Sequence, residues 1–233
     1  LTQHGKRVNS FSFKNKPGIH LRTFVSKIDN QSQNYIVIYP ENGLNKPVPL
    51  YVNIPILEAN KYEFLLGNNI AYIDGLEMTA FLCNKYNMAY VIFDGRNSQN
   101  IYSLSTLISS YKETLHHLEQ DYDIDTNNIF LQGICDKAVD AIYMAELMPN
   151  EFTALALYAP ITKTQKINIS DTVYEHWYKK YQFANYLDNI KSLPILIVHG
   201  EKDDHAPYRL SKEFYENIHE KGFDVKFNSL KDV

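Results

Sequence analysis

The stretch Asn128-Ile129-Phe130-Leu131-Gln132-Gly133-Ile134-Cys135-Asp136-Lys137-Ala138 decides how the rest of this 233-residue chain is interpreted. A short run of β-branched and aromatic residues stops at Gly133, and a helical pattern starts two residues later. A strand that turns directly into a helix, with a nucleophilic side chain at the corner, is the pattern of a nucleophile elbow. Cys135 stands at this corner, at a helix N-terminus, where N–H groups and the helix dipole favour negative charge.

Strand patterns occur at eight places along the chain. They are Ile19–Ser26, Tyr35–Tyr39, Leu50–Ile54, Ala89–Phe93, Asn128–Gln132, Ala154–Tyr158, Ile195–His199 and Val225–Ser229. The third to the seventh are short and almost continuously apolar, as expected for strands that are covered on both faces of a parallel sheet. The first two alternate more and are joined to the third by polar turns, which favours an antiparallel edge.

Helical patterns fill the gaps between these strands. Leu104, Leu107, Tyr111 and Leu118 recur at helical spacing, a small-residue face begins at Ala138, and a further amphipathic pattern precedes the last strand. Strands that alternate with helices of this length form βαβ units with right-handed crossovers. The sequence predicts an α/β fold of about eight mostly parallel strands, with helices on both faces and an antiparallel N-terminal edge. The length suits a single domain over residues 1–233.

Composition excludes several classes of function. The net charge is −4 with both signs interspersed, so the chain has no basic footprint for nucleic acid. No apolar run approaches the roughly 18 residues that indicate a membrane span. The two cysteines, Cys83 and Cys135, form no disulfide framework, and the eight histidines show no metal-ligand spacing. We expect no metal and no cofactor, and the cellular compartment stays open, although few cysteines with many Asn and Tyr residues would suit an exported bacterial protein.

Residues 161–193, between the sixth and seventh strands, are longer than a simple crossover and rich in aromatic residues, Trp177 and Tyr178 among them. Insertions at the carboxyl edge of an α/β sheet overhang the ligand crevice. One interpretation is therefore a substrate-binding or sugar-stacking surface that includes Trp177 and Tyr178. The other is a helix that docks its aromatic side chains on the domain, since aromatic side chains mostly bury.

With the elbow placed, the order of elements resembles the α/β-hydrolase superfamily, most of all its esterase and prolyl-oligopeptidase-type members, from Ile19 onward. The segment Asp125–Gly133 is similar to the family's approach to the elbow. The segment Leu193–Pro207, which contains His199-Gly200-Glu201-Lys202-Asp203, is similar to its seventh strand and acid loop. The second motif is the more specific, because strand, His-Gly, acid and Pro all fall at the family's spacing.

The resemblance implies a triad of nucleophile, acid and histidine base in that chain order. Cys135 would be the nucleophile, and a thiol at a helix N-terminus beside a histidine can ionise. Asp203, four residues after the histidine of the motif, would be the acid. The N–H of Asp136 would be one donor of the oxyanion hole.

Three features depart from the family pattern. The family's histidine follows the last strand, where this sequence has Leu230-Lys231-Asp232-Val233; either the histidine lies beyond these residues or the protein lacks one. The second oxyanion donor normally comes from the loop after the third strand, where Pro55 has no N–H. Lys137 occupies a position where a small residue normally lets helix and strand approach, so its side chain must leave that contact, with Asp140 as a candidate partner.

Two hypotheses result. The first is a hydrolase of ester or peptide-like acyl substrates, such as small-molecule or glycan esters, acting through Cys135 and Asp203. The second is a catalytically impaired descendant that retains the fold and a binding crevice, for example for glycans. The acid loop favours the first hypothesis, whereas Pro55, Lys137 and the missing histidine favour the second.

Overall fold

The structure is a computed structural model that describes residues 2–3, 6–7, 14–54, 70–93, 103–162 and 187–232. Its main sheet has eight strands: β1 (Gly18–Val25), β2 (Ser32–Tyr39), β3 (Val48–Asn53), β4 (Ala89–Phe93), β5 (Ile124–Ile134), β6 (Ala154–Tyr158), β7 (Ile195–Gly200) and β8 (Val225–Leu230). Each of the eight predicted strands corresponds to one of these. A separate antiparallel ribbon of Thr2–Gln3 and Lys6–Arg7 was not predicted, since pairs of two residues carry no pattern.

The strands lie in the order β1-β2-β4-β3-β5-β6-β7-β8. The pairings of β2 with β1 and with β4 are antiparallel, and the other five pairings are parallel. The predicted antiparallel N-terminal edge is therefore confirmed. In this order β4 lies on one side of β3 and β5 lies on the other. The connection from β3 to β4 and the connection from β4 to β5 therefore run in opposite directions across the sheet. Ligands of α/β sheets bind outside the carboxyl ends of the strands at such a point.

In the described ranges, four α-helices connect the strands: α1 (Ile70–Tyr86), α2 (Leu104–Asp121), α3 (Lys137–Leu147) and α4 (Tyr208–Glu220). Short 3₁₀ helices span Glu41–Asn45 and Asp188–Ile190. The crossover through α1 runs in the opposite direction along the sheet from that through α2, so right-handed crossovers place these helices on opposite faces. None of the helices in the described part of the chain is long and apolar enough to cross a membrane.

Helix α2 follows its predicted pattern. Ser103 caps its N-terminus by accepting a hydrogen bond from the Thr106 N–H at 3.2 Å. Its buried stripe contains Leu107, Tyr111 and Leu118, which recur at the predicted spacing. Helix α3 is buried on almost all sides, because it packs on β5 and β6 and also contacts the 3₁₀ turn Asp188–Ile190 and α2. The small residues predicted for its face allow that close approach.

Strand β5 is longer than predicted, and the extra length is irregular. Its pairing with β3 shifts register between Val48 and Leu50. Asp125 accounts for the irregularity, because its carboxylate accepts hydrogen bonds from the Asn127 N–H at 3.1 Å and the Asn128 side chain at 2.6 Å. Such local bonds compete with the sheet ladder. The regular part of β5 is the predicted apolar run, and it leads directly to Cys135.

Candidate active site at the carboxyl edge of β5 and β7

Cys135 lies on the turn between β5 and α3, as the sequence predicts, with a backbone φ of 57°. This is the left-handed region, which non-glycine residues rarely adopt, so surrounding contacts must hold the turn. The Cys135 N–H donates to the Tyr158 carbonyl at 2.9 Å, and its own carbonyl accepts from Ile161 N–H at 3.1 Å. The turn is thus fixed by hydrogen bonds to the end of β6 and to the segment that follows it.

Gly133 permits the sharp turn from strand to helix. A Cβ at this position would stand 2.5 Å from the Lys137 carbonyl oxygen and 2.6 Å from the Ala138 Cα. Both neighbours are backbone atoms of the first turn of α3, which cannot move aside independently. Any side chain at position 133 would push α3 away from β5 and would displace Cys135 with it.

Lys137 leaves this contact as the sequence predicts. Its side chain is only 1% exposed, and its ammonium nitrogen lies 3.1 Å from Asp140 Oδ2 and 3.6 Å from Asp136 Oδ2. Asp140 is itself buried. Two carboxylates at the start of α3 also oppose the unfavourable interaction of a lysine with the positive end of the helix dipole. Only the backbone of Lys137 therefore takes part in the close contact between α3 and β5. The Lys137 side chain lies with Asp140 and Asp136 in a buried ion cluster.

The half-buried Cys135 packs with Ala159 against a small apolar cluster of Ile161, Ala206 and Leu210. These residues come from the segment after β6, the loop after β7 and the first turn of α4. Asp136 follows Cys135 with helical backbone angles, φ −64° and ψ −29°. The first N–H groups of a helix have no carbonyl partner within it. Cys135 therefore lies between this apolar cluster and the N-terminus of α3.

Asp203 lies in the loop that follows β7. Its Oδ1 accepts hydrogen bonds from the backbone N–H groups of Ala206 at 2.8 Å and His205 at 2.9 Å. The hydrogen bond from Ala206 is the main reason that the pKa of the Asp203 carboxyl lies below its usual value. His205 and His199 also lower this pKa, whereas partial burial of the carboxyl raises it. This environment keeps Asp203 ionised.

The fold brings the two sequence-predicted residues to the same edge of the sheet. Strands β5, β6 and β7 are parallel neighbours, so Cys135 and Asp203 both follow carboxyl ends. They are linked more closely through Ala206, which contacts the cluster around Cys135 and also donates its N–H to Asp203.

His199 and Ser211 are partners of the acid loop that no sequence pattern predicted. The buried His199 ring lies between this loop and α4, with its Nδ1 at 2.6 Å from Ser211 Oγ and its Nε2 at 2.9 Å from the Ala206 carbonyl oxygen. Its Nε2 is also 3.5 Å from Asp203 Oδ2. The sequence offered one sign of these contacts: His199 is a polar residue at the end of a buried apolar strand, and buried polar groups need hydrogen-bond partners.

A second polar group joins the central strands. The Asn53 side chain at the end of β3 donates to the Tyr90 hydroxyl at 2.8 Å and accepts from Gln132 Nε2 at 3.2 Å. Gln132 immediately precedes Gly133, so this group joins β4, β3 and β5 just below the turn that carries Cys135.

Three predicted positions lie outside the described residues: Pro55, Trp177 and Tyr178. Ligand-type atoms of Asp203, Asp204 and His205 lie within 4.8 Å of one another. Asp204 and His205 are exposed and pair with each other at 2.6 Å, while Asp203 is bound to its own loop. Exposed acidic groups commonly lie together without an ion, and this cluster supports no metal assignment.

Solved structures resemble this chain over nearly its whole length. A ferulic acid esterase superposes with a TM-score of 0.66 at 16% identity, over 91% of this chain and 89% of that one. A Pyrococcus horikoshii acylaminoacyl peptidase superposes with a TM-score of 0.65 at 19% identity, over 95% of this chain and 38% of that one. A thermostable esterase superposes with a TM-score of 0.62 at 15% identity, over 92% of this chain. The chain spans only 55% of the length of that esterase.

No protein-family model and no curated protein sequence matches the chain. Identities below 20% show a shared fold and do not by themselves transfer an activity. The strand order, the mostly parallel sheet with its antiparallel edge and these structural neighbours lead to one conclusion: the chain has the fold of the α/β-hydrolase superfamily.

Proposed function

We propose that this protein hydrolyses ester or peptide-like acyl substrates, with Cys135 as the nucleophile and Asp203 as the acid of a triad. The main support is the position of Cys135, at positive φ on a strand–turn–helix corner, with the Asp203 loop packed against the same apolar cluster. The esterases and the acylaminoacyl peptidase among the structural neighbours agree with this substrate class.

The chemistry would proceed in two steps. The Cys135 thiolate attacks the substrate carbonyl carbon and forms a C–S bond, and the alcohol or amine leaves with a proton from the histidine base. Water then attacks the thioester with the help of the same histidine, which releases the carboxylic acid and restores the thiol. The N–H of Asp136 would donate to the oxyanion in both tetrahedral intermediates.

The base must be a histidine other than the two near Asp203 in the described part of the chain. The ring nitrogens of His199 are engaged with Ser211 and Ala206. The His205 side chain is 94% exposed and pairs with Asp204. Asp203 Oδ2, which takes neither backbone hydrogen bond of the loop, is the oxygen that could orient such a base.

Hydrolysis of a short activated ester such as p-nitrophenyl acetate tests the proposal, with wild type compared with Cys135→Ala and, as the matched thiol control, Cys83→Ala. We expect slow turnover that disappears in Cys135→Ala and persists in Cys83→Ala. Slow turnover is expected because Pro55 supplies no N–H, and the loss of one oxyanion donor costs about 100- to 1,000-fold in rate. Equal rates in wild type and Cys135→Ala would contradict catalysis by Cys135.

The second candidate function is binding without catalysis, for example of glycans in the crevice. It is favoured by the buried Lys137 in place of a small residue and by Pro55, which follows β3 in the sequence and has no N–H. A glycan array or calorimetric titration with feruloylated or acetylated oligosaccharides separates the two functions. Saturable binding without Cys135-dependent product would support this candidate, and Cys135-dependent product would reject it.

A further inference from the structure

His199 is a buried titratable residue to which the proposed reaction assigns no role. It is 1% exposed and ends the apolar part of β7. Asp203 of the loop after β7 faces the ring, and Tyr208 from α4 stands edge-on to it with ring centroids 5.7 Å apart. Its two nitrogens have separate partners, so its hydrogens can be assigned from the chemistry of these partners.

The Nδ1 side is settled by Ser211. The Ser211 hydroxyl has one hydrogen, and its oxygen lies 3.1 Å from the Pro160 carbonyl oxygen, which can only accept. The same Ser211 oxygen lies 2.6 Å from Nδ1 of His199. Both contacts are hydrogen bonds only if the hydroxyl donates to Pro160 and Nδ1 carries a hydrogen that it donates to Ser211.

The Nε2 side needs a hydrogen as well. Its neighbours are the Ala206 carbonyl oxygen at 2.9 Å and Asp203 Oδ2 at 3.5 Å, and neither a carbonyl nor a carboxylate can donate. A ring that donates from both nitrogens is an imidazolium ion. The ionised Asp203 carboxylate supplies the compensating charge that a buried cation requires.

A neutral ring satisfies fewer of these groups. Ser211 would then have to donate to Nδ1 and would give up its bond to Pro160, although its side chain is completely buried. Burying a polar group without a partner is unfavourable. The neighbouring Asp203 would also lose its cationic partner.

We propose that His199 is an imidazolium ion in the folded protein and that, paired with Asp203, it positions the acid loop relative to the support of Cys135. Through Nε2 it holds Ala206 and Asp203. Through Nδ1 and Ser211 it holds Pro160, whose neighbour Ile161 donates its N–H to the Cys135 carbonyl at 3.1 Å. The charge of the ring is independent of hydrolysis, whereas the catalytic value of this positioning rests on the proposed function.

The first test is nuclear magnetic resonance of the histidine rings in protein labelled with ¹⁵N-histidine, assigned through bonds in the wild type. At about pH 8 an exposed histidine is neutral and has one protonated and one bare nitrogen. We expect His199 to show two protonated nitrogens at this pH. One protonated and one bare nitrogen would overturn the proposal.

Asp203→Asn tests the pairing, with the exposed Asp204→Asn as the matched control. We expect His199 to lose one hydrogen at about pH 8 in Asp203→Asn and to keep both in Asp204→Asn. Two retained hydrogens in Asp203→Asn would contradict the pairing. Cys135→Ala should remove any turnover and leave the ring signals unchanged, so failure of the proposed function is distinguishable from failure of this inference.

His199→Gln tests the positioning. A glutamine can donate one hydrogen bond but cannot carry the charge, so the amide hydrogens of His205 and Ala206 should exchange with solvent at least several times faster than in wild type. Asp204→Asn should leave their exchange unchanged. Unchanged exchange in a folded His199→Gln variant would show that the cation does not hold the loop. If that variant does not fold, Ser211→Ala provides the comparison, because it removes the acceptor of His199 Nδ1 and leaves Asp203 as the acceptor of both amides; the two amides should again exchange faster, and unchanged exchange would contradict the positioning role.

Discussion

Gly133 and Lys137 touch through backbone alone: the Lys137 carbonyl oxygen is 2.5 Å from the place that a Cβ at position 133 would occupy. This contact sets the distance between β5 and α3, and so it sets the position of Cys135 between them. The buried Lys137 side chain does not interfere, because it turns away to Asp140.

The first prediction concerns this contact. Gly133→Ala should lower the free energy of unfolding by about 3 kcal/mol, at the upper end for overpacking, because backbone atoms must move. Denaturant unfolding followed by circular dichroism measures it. Gly75→Ala is the matched control: nothing lies within 4 Å of its added Cβ, and on the exposed side of α1 it should raise stability by about 0.5–1 kcal/mol. Similar effects of the two changes would contradict the close contact.

The second prediction concerns the buried ion cluster. Lys137→Met should destabilise the protein by about 3–5 kcal/mol, because the buried Asp140 loses the Lys137 ammonium at 3.1 Å. Adding Asp140→Leu should recover most of this loss, since a buried pair can often be replaced by apolar residues at little cost. Arg209→Ala, which breaks the exposed pair with Glu213, should change stability by less than about 1 kcal/mol. If the double variant is no more stable than Lys137→Met, the burial energetics are different from those assumed.

The third prediction distinguishes the two thiols. Burial raises the pKa of the Cys83 thiol to about 12, so it forms almost no thiolate near neutral pH. Cys135 is half-buried and lies at a helix N-terminus, which favours the thiolate. Iodoacetamide at about pH 8 should label Cys135 first, as peptide mass spectrometry measures. Labelling should persist in Cys83→Ala and largely disappear in Cys135→Ala; preferential labelling of Cys83 in the native protein would contradict the prediction.

The fourth prediction concerns pH. Because hydrogen bonds from Ala206 and His205 lower the pKa of Asp203 in the folded protein, its carboxylate stabilises the fold above the unfolded-state pKa of about 4. This contribution disappears as the pH falls through the lower, folded-state pKa. The difference in free energy of unfolding between wild type and Asp203→Asn should therefore be largest near neutral pH and shrink in acid. Asp204→Asn, at a largely exposed carboxylate, should show a much smaller dependence.

Part of the candidate site was predictable because it lies on local sequence patterns. The apolar run before Gly133 and the helical pattern after Cys135 predicted the turn that the structure contains. The spacing of Lys137 and Asp140 predicted their ion pair, since residues three apart face the same side of a helix. The roles of Cys135, Asp203 and Asp136 in catalysis stay predictions.

His199 shows why the remainder could not be predicted. Its partners are Ser211 on α4, the Ala206 carbonyl in the next loop and, through Ser211, Pro160 after β6. No spacing in the sequence brings these atoms together, because their distances depend on how α4 packs against two strands. A histidine in an apolar strand signals only that some partner exists.

The sequence by itself determined the order of strands and helices, the class of the sheet and the corner at Cys135, because hydrophobic periodicity and a required glycine act over a few residues. Only the tertiary structure decided which strand lies beside which, and therefore that β4 and β5 lie on opposite sides of β3. It also decided that Ala206 joins the cluster around Cys135 and that the buried His199 meets Asp203. These contacts join residues far apart in the chain, and they form only when the sheet is assembled.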